Sequence, residues 1–405
     1  MKQALAIELE KLASFSDSEA PAVTRVVFSD ADLRARAWLK GLFREAGLEV
    51  REDAVGNTFA RWVGSGEGVV GTGSHIDAIP NSGRFDGTVG VLGGLEAIRS
   101  LRRAAFQPRR SIELLMFTSE EPTRFGIGCL GSRLLSGSLD PSRADALQDS
   151  DGATLASVRA AAGFSGPLNS VQLAAGYYSA FLELHIEQGP LLEKASNPIG
   201  IVENIAAPAS LRISIAGQGG HAGAVLMPQR HDAFLGACEI ALGVERAAVG
   251  TGAIDTVATT GVCRVFPGAV NSIPSAVTME IDVRDIEPDR RDKVLRAIEE
   301  CCALVAARRG LAVEATVLNA DPPAACDPRV MGALEHACVS LDLGYQRMIS
   351  RAYHDSLFMA RIAPSAMVFI PCKGGVSHRP DEFSSIEDIA NGVEVLAGAL
   401  AELAG

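Results

Sequence analysis

Cysteine occurs in this sequence without the spacings that put it to use in disulfides or zinc sites. The eight cysteines, Cys129, Cys238, Cys263, Cys301, Cys302, Cys326, Cys338 and Cys372, are scattered and include no C-x-x-C pair. A disulfide-stapled scaffold is excluded, and most of them read as small buried hydrophobes. Also missing is any unbroken apolar run near the roughly 18 residues needed to cross a bilayer. The opening MKQALAIELEKLASF mixes acidic with apolar residues and lacks a small-residue cleavage site, so it reads as a helix and not as a signal peptide. A cytoplasmic protein is expected. Basic residues are in deficit, 37 against 49 acidic for a formal charge of -12, which disfavours nucleic-acid phosphates and anionic membranes as partners. There are no internal repeats and no low-complexity stretches.

What is present is the material for a packed interior: 47% of the 405 residues are hydrophobic and 21% charged. That length exceeds one ordinary core, and two domains are expected. A Ser29/Asp30 cap, the apolar Leu33, Trp38 and Leu42, and a stop at Gly47 predict a helix over 29–47. An extended pair around 48–54 and 58–63 is broken at Gly56-Asn57. Val69 to Thr72, Ile112 to Phe117 and Phe181 to Ile186 read as buried strands separated by helix-length segments such as 88–101. That alternation predicts a mostly parallel sheet covered by helices, with ligands gathered at the carboxyl ends of the strands.

After Ala207 the pattern changes. Residues 208–217 alternate, 228–247 read helical, 256–266 and 276–284 read as strands, 287–309 read helical and 311–318 alternate again. This order, β-α-β-β-α-β, is the split ferredoxin-like unit. The earlier style resumes with a helix near 328–341, an apolar strand at 366–371 and a capped helix from Ser385. The expected fold is α/β: a mixed, mostly parallel sheet sandwiched by helices from residues 1–207 and 320–405, with a ferredoxin-like α+β domain inserted at 208–319.

Four segments carry metal-ligand residue types: Ser74-His75-Ile76-Asp77 with Asp86, Ser119-Glu120-Glu121, His185-Ile186-Glu187-Gln188, and Ser377-His378. Taken singly, each has an ordinary explanation. A lone histidine is more often a hydrogen-bonded structural residue, Asp86-Gly87 is a turn signature, and an adjacent Glu pair usually starts a solvated helix. Here, however, the Glu pair follows the apolar strand ending at Phe117, so two carboxylates reach the sheet edge that also receives His75 and His185. Two divalent cations need a bridging carboxylate with nitrogen and oxygen ligands on each side, a demand met by three histidines, one Asp and one Glu. A ligating imidazole needs its second nitrogen held, and Asp77 is expected to hold that of His75. Glu120 is then free to move protons. The glycine-rich Gly217 to Gly223 lacks the Gly-Lys-Ser/Thr ending of a phosphate loop and reads as a turn presenting His221. Arg284, at a strand end, is open to a surface salt bridge or a carboxylate clamp, and His231 and His336 are left as structural or exposed.

GSHIDAIPNSGRFDG, FTSEEPTRFGIGCLGSR, LELHIEQGPLLE, GQGGHAGAVLMP and AGAVNSIPS together resemble the dinuclear amidohydrolases, a family of carbamoyl-amino-acid, allantoate and ureidoglycolate hydrolases related to aminoacylase and carboxypeptidase-type metallopeptidases. The likeness spans nearly the whole chain. It implies two divalent ions per subunit, Mn2+ or Zn2+, with His75, Asp86 and His185 around one and Asp86, Glu121 and His378 around the other. It further implies Glu120 as catalytic base, and a homodimer formed through the inserted domain, whose His221 and Asn271 polarise the scissile carbonyl. Gln188 and Arg284 match substrate-binding positions, where a planar guanidinium suits a carboxylate.

Within that family, Pro122-Thr123-Arg124-Phe125, Ala224-Val225-Leu226 and the run from Ile349 to Arg361 resemble the ureidoglycolate amidohydrolases. In that run Tyr353 and His354 match substrate-contacting positions, a capping or packing role being the lesser alternative for His354. The expected reaction is hydrolysis of a ureido carbonyl–nitrogen bond in a small carboxylate substrate, yielding glyoxylate, ammonia and carbon dioxide. N-carbamoyl-L-amino acids and allantoate are the rival substrates. A metal-binding dimer without turnover is the rival from another class, and the joint match of ligands, base and carbonyl-polarising residues speaks against it.

Overall fold

Strands without alternation in their sequence are buried on both faces, and four of them organise this chain. Val69–His75, Ser111–Phe117, Ala180–Ile186 and Ser365–Ile370 are buried at every position, as strands covered by helices on both sides must be. The computed structural model describes residues 1–405 and places these four as parallel neighbours in the spatial order 365–370, 180–186, 69–75, 111–117. Ile199–Ile205 adds antiparallel on one side, and Thr58–Trp62 followed by Glu49–Glu52 adds antiparallel on the other. With Ala324–Ala325 and Tyr345–Ser350, which both pair with Ile199–Ile205, the result is a nine-stranded mixed sheet. Its four central strands pair in parallel, and Thr58–Trp62 and Glu49–Glu52 beside them pair antiparallel. The reason is local: residues 49–62 form a hairpin turning through Gly56 at φ +95°, and so short a connection permits only antiparallel pairing.

Helices Thr88–Arg103 and Ile386–Ala404 pack on each other and on this sheet. The opposite face is closed by an apolar cluster that includes Phe59, Leu115, Phe117, Phe181, Leu130 and Leu134. Ser29 caps Asp30–Glu45, its hydroxyl accepting from Asp32 N at 3.3 Å. No helix is long and apolar enough to cross a membrane.

By compactness the chain divides into one unit of Met1–Glu203, Ala325–Ser350 and His354–Gly405, and a second of Asn204–Ala324 with Arg351–Tyr353. The second unit holds an antiparallel four-stranded sheet in the order Val257–Phe266, Ala276–Asp285, Ala207–Ala216, Ala312–Ala320. Leu211, Ile213 and Ile215 point inward with Met279, Ile281 and Val283, and helices Ala233–Val249 and Pro288–Arg309 bury Ile240, Val244, Val294, Ile298, Cys302 and Val305 in the same core. Gly310 ends the longer helix in the left-handed region. Periodicity gave no hint that Arg351–Tyr353 belongs here; the Arg284 guanidinium donates to the Arg351 carbonyl at 3.2 Å and lies over the Tyr353 ring at 5.5 Å.

Candidate metal centre

The first unit brings its chemistry to the carboxyl ends of the four central strands, where loops replace ladder pairing and side chains can converge. His75 is the last residue of one strand and His185 the penultimate residue of its neighbour. Glu120 and Glu121 follow Phe117 by a short loop, and His378 lies in the segment after Ser365–Ile370. These residues meet around Asp86. Its Oδ1 lies 3.5 Å from His75 Nε2 and 3.2 Å from His185 Nε2. Its Oδ2 lies 3.4 Å from His378 Nε2, which is itself 3.3 Å from Glu121 Oε1. Two groups therefore share one carboxylate, His75–Asp86–His185 and Asp86–Glu121–His378, with the donor atoms of each within 4.8 Å of one another.

The imidazoles are aimed by backbone carbonyls. His75 Nδ1 is 3.0 Å from the Asp77 carbonyl oxygen and His185 Nδ1 is 2.9 Å from that of Ile186, so both donate there and turn Nε2 toward Asp86. Gly87 N donates to His185 Nε2 at 3.0 Å, in keeping with that tautomer. Asp77 holds His75 chiefly through its backbone oxygen, with its carboxylate Oδ1 3.7 Å from the same Nδ1, and that carboxylate also accepts from Glu120 N at 3.2 Å and Glu121 N at 2.9 Å.

Charge in the centre is crowded. Burial would lower the pKa of His75, but Glu120, Asp86 and Asp77 raise it well above the ordinary imidazole value. His378 is pushed up to about 11 by its bonds to Asp86 and Glu121. Burial alone would raise Asp86, yet the three imidazoles hold it well below the usual carboxylate range. Glu120 is raised well above that range by burial and by Glu121, Asp355 and Asp86, against the pull of His75. Such demand for positive charge, in a mixed nitrogen and oxygen donor set, fits divalent cations. The spacing fits as well: ligands about 2.0–2.2 Å from a tetrahedral cation stand about 3.4 Å apart.

Backbone strain gathers at the same place. Ser119, Cys129, Gln188 and His378 are non-glycine residues with φ of 55–58°, a conformation that persists only where surrounding structure over-determines it. Gly87, at φ +64°, admits no substitute, since a Cβ there would lie 2.4 Å from His75 Nε2.

Other residues singled out from the sequence are placed as follows. Glu120 is buried, its Oε1 accepting from Cys129 Sγ at 3.5 Å and its Oε2 3.7 Å from His75 Nε2. Gln188 Nε2 donates to Asp86 Oδ2 at 2.6 Å, so its amide rests against the shared carboxylate. His354 is 2% exposed, bonded through Nε2 to Ser350 Oγ at 3.0 Å with its ring 4.5 Å from that of His185. His221, Asn271, Arg284 and Tyr353 belong to the second unit. There His221 is exposed and its Nδ1 accepts from Gly223 N at 3.0 Å, while Asn271 accepts from Ala222 N through its backbone oxygen at 2.9 Å. Arg284 is engaged by Asp282 at 2.7 Å.

Two residues at the centre were invisible to sequence reasoning. Arg25 is fully buried and donates from Nε to the Ile76 carbonyl at 2.6 Å, tying the His75–Asp77 segment to the Leu12 carbonyl at the end of helix Lys2–Ala13 and to the Phe15 carbonyl just beyond it. Glu382 accepts from Phe85 N and Asp86 N. Neither carried a local signal, since Glu382 follows Asp381 in a polar loop and Arg25 sits in a three-residue strand.

Residues 71–402 match the model of peptidase family M20/M25/M40. The chain is 54% identical over 403 residues to a ureidoglycolate hydrolase of Oryza sativa subsp. japonica, covering 98% of this chain and 83% of that one. It is 36% identical over 399 residues to an N-carbamoyl-L-amino-acid amidohydrolase of a Pseudomonas species, covering 98% and 96%. The crystal structure of AtUAH in complex with (S)-hydroxyglycine superposes with a TM-score of 0.95 at 51% identity, covering 100% of this chain and 97% of that one. With a family match over most of its length and these relatives aligned along at least 98% of it, the chain belongs to the M20/M25/M40 peptidase family.

Proposed function

We propose that this chain hydrolyses the ureido carbon–nitrogen bond of ureidoglycolate, releasing glyoxylate, ammonia and carbon dioxide. The observation that carries the reading is the 54% identity to the rice ureidoglycolate hydrolase along 98% of the chain, against 36% to the carbamoyl-amino-acid enzyme. The ligand of AtUAH, (S)-hydroxyglycine, is the fragment left when the ureido carbonyl and its terminal nitrogen are removed from ureidoglycolate, which supports the same reading.

His75, Asp86 and His185 would hold one divalent cation and Asp86, Glu121 and His378 a second, Mn2+ and Zn2+ both suiting the donors. Cations held there acidify water and polarise a carbonyl oxygen. The chain's own residues do the rest. Glu120 Oε1 is engaged by Cys129, which leaves Oε2 to take a proton from the attacking water and return it to the leaving nitrogen. Cleavage of the carbonyl–nitrogen bond yields hydroxyglycine and carbamate; carbamate loses ammonia and carbon dioxide, and hydroxyglycine collapses to glyoxylate and a second ammonia. Arg284, planar beside Tyr353, receives the substrate carboxylate, His354 backs His185 and Gln188 borders the reacting group. His221 and Asn271 stabilise charge on the carbonyl oxygen.

The protein is proposed to act as a homodimer joined through the second unit. Its edge strand Val257–Phe266 carries exposed Val257 and Phe266, and the adjoining helix exposes Leu242 and Val249, an apolar surface suited to self-pairing.

The test is release of ammonia by metal-reconstituted protein from ureidoglycolate, N-carbamoyl-L-amino acids and allantoate, with glyoxylate measured as the accompanying product from ureidoglycolate. Ureidoglycolate is expected to lead in kcat/KM by at least about tenfold, or 1.4 kcal/mol in transition-state binding. A carbamoyl-amino acid or allantoate in that place would reassign the substrate, and no turnover of any would favour the non-catalytic reading.

A further inference from the structure

We infer that Glu382 is a positioning residue: it joins the loop carrying Asp86 to the segment carrying His378 and thereby sets the affinity of the metal centre proposed above, on which this inference rests. Its neighbour Asp381 is exposed and pairs with Arg379, as a polar loop residue ordinarily does. Glu382 is instead 4% exposed. Its Oε1 accepts from Phe85 N at 2.8 Å and Asp86 N at 3.1 Å, across 297 and 296 residues of chain. Its Oε2 lies 2.9 Å from Ser377 Oγ, which is also 2.9 Å from Asp86 Oδ2. One carboxylate thus holds the backbone of the shared ligand-type residue Asp86 and, through Ser377, the residue preceding His378.

Three further features concern the same joint. His378 has φ +58°, a strained conformation that needs an external hold of this kind. Phe85 and Phe383 meet edge to face at 6.0 Å, packing the residues next to Asp86 and Glu382 against each other. Gly83, whose φ is not left-handed, is explained by space: a Cβ there would lie 2.3 Å from Glu382 Cδ and 2.4 Å from its Cβ. Turning the far end of the glutamate cannot relieve a clash with its Cβ, so the chain keeps a glycine where the carboxylate must enter.

The mechanical consequence concerns both proposed cation positions. Asp86 offers Oδ1 to one group and Oδ2 to the other, so its backbone position sets both at once. His378 completes only the second. Without the Glu382 carboxylate, two buried amides lose their acceptor and the Asp86 and His378 segments are free to drift apart.

The experiment uses Glu382→Ala, Glu382→Gln and Gly83→Ala in the full chain, and measures Zn2+ and Mn2+ affinity by chelator competition together with thermal unfolding of the metal-free protein. Glu382→Ala is expected to weaken cation binding by about 10–100-fold, the usual effect of removing a residue that orients ligands, while the metal-free protein still unfolds cooperatively. Glu382→Gln keeps an oxygen acceptor for the two amides and should bind close to the parent. Gly83→Ala should reproduce Glu382→Ala, and it keeps the test open if the latter fails to fold. Parent-like affinity in folded Glu382→Ala overturns the inference, as does Glu382→Gln as weak as Glu382→Ala. A parent protein that binds neither cation refutes the metal centre itself, which separates that failure from this one.

Discussion

Glu120→Gln should lower turnover and raise the stability of the metal-free protein at the same time, because one buried carboxylate is responsible for both. The side chain is 7% exposed, and burial with Glu121, Asp355 and Asp86 raises its pKa well above the ordinary value, with His75 opposing. A folded-state pKa above the unfolded one means that the stability this group contributes is present at low pH and lost as pH rises, so the ionised form is a liability near neutrality. At an effective dielectric of about 20, each like charge about 6 Å away costs about 3 kcal/mol before the attraction to His75 is set against it. A net gain of about 1 kcal/mol on neutralisation corresponds to about 1–2 °C in Tm for a protein of this size. That gain should vanish below about pH 4, where the carboxyl is protonated in folded and unfolded chains alike. Activity should move the other way, kcat falling by about two to four decades, or about 2.7–5.4 kcal/mol, with metal content unchanged. Scanning calorimetry of stripped protein, elemental analysis and initial rates read the three quantities. Parent-level turnover would refute the role as base, loss of metal along with activity would make Glu120 a ligand, and a lower Tm in the stripped variant would refute the electrostatic account.

Chelation should abolish activity, and Mn2+ or Zn2+ should restore it, given the two donor groups around Asp86; full turnover in verified metal-free protein would contradict this. Gly87→Ala should cost at least about 100-fold in metal affinity, since its Cβ would fall 2.4 Å from His75 Nε2 and its φ is +64°, and chelator competition measures the loss. If His221 serves the partner subunit's site, inactive His221→Ala and Glu120→Gln proteins should complement after subunit exchange, recovering at most about a quarter of parent activity because half the dimers are hybrids with one intact site each. No recovery despite exchange seen by native mass spectrometry would place His221 in its own chain's site.

The sequence by itself determined the residue types and the places where chemistry gathers. Non-alternating apolar runs ending at His75, Phe117 and Ile186 announce buried strands, and a buried strand ends where polar residues can next be tolerated, so the histidines and carboxylates found there are brought to one edge. Strict alternation at Leu211, Ile213 and Ile215, and the spacing of Val294, Ile298, Cys302 and Val305, likewise declare which faces are buried. Only the tertiary structure decided which atoms meet. It gave His75 the backbone oxygen of Asp77 as its nearer partner, split the two oxygens of Asp86 between two groups, buried His354 against His185 and brought Glu382 to a loop 296 residues away. It also carried Arg351–Tyr353 into the second unit. The physical reason is one of range: periodicity and capping record what each residue needs from its immediate surroundings, whereas a hydrogen bond between distant loops depends on how the whole chain closes, and no local pattern encodes that closure.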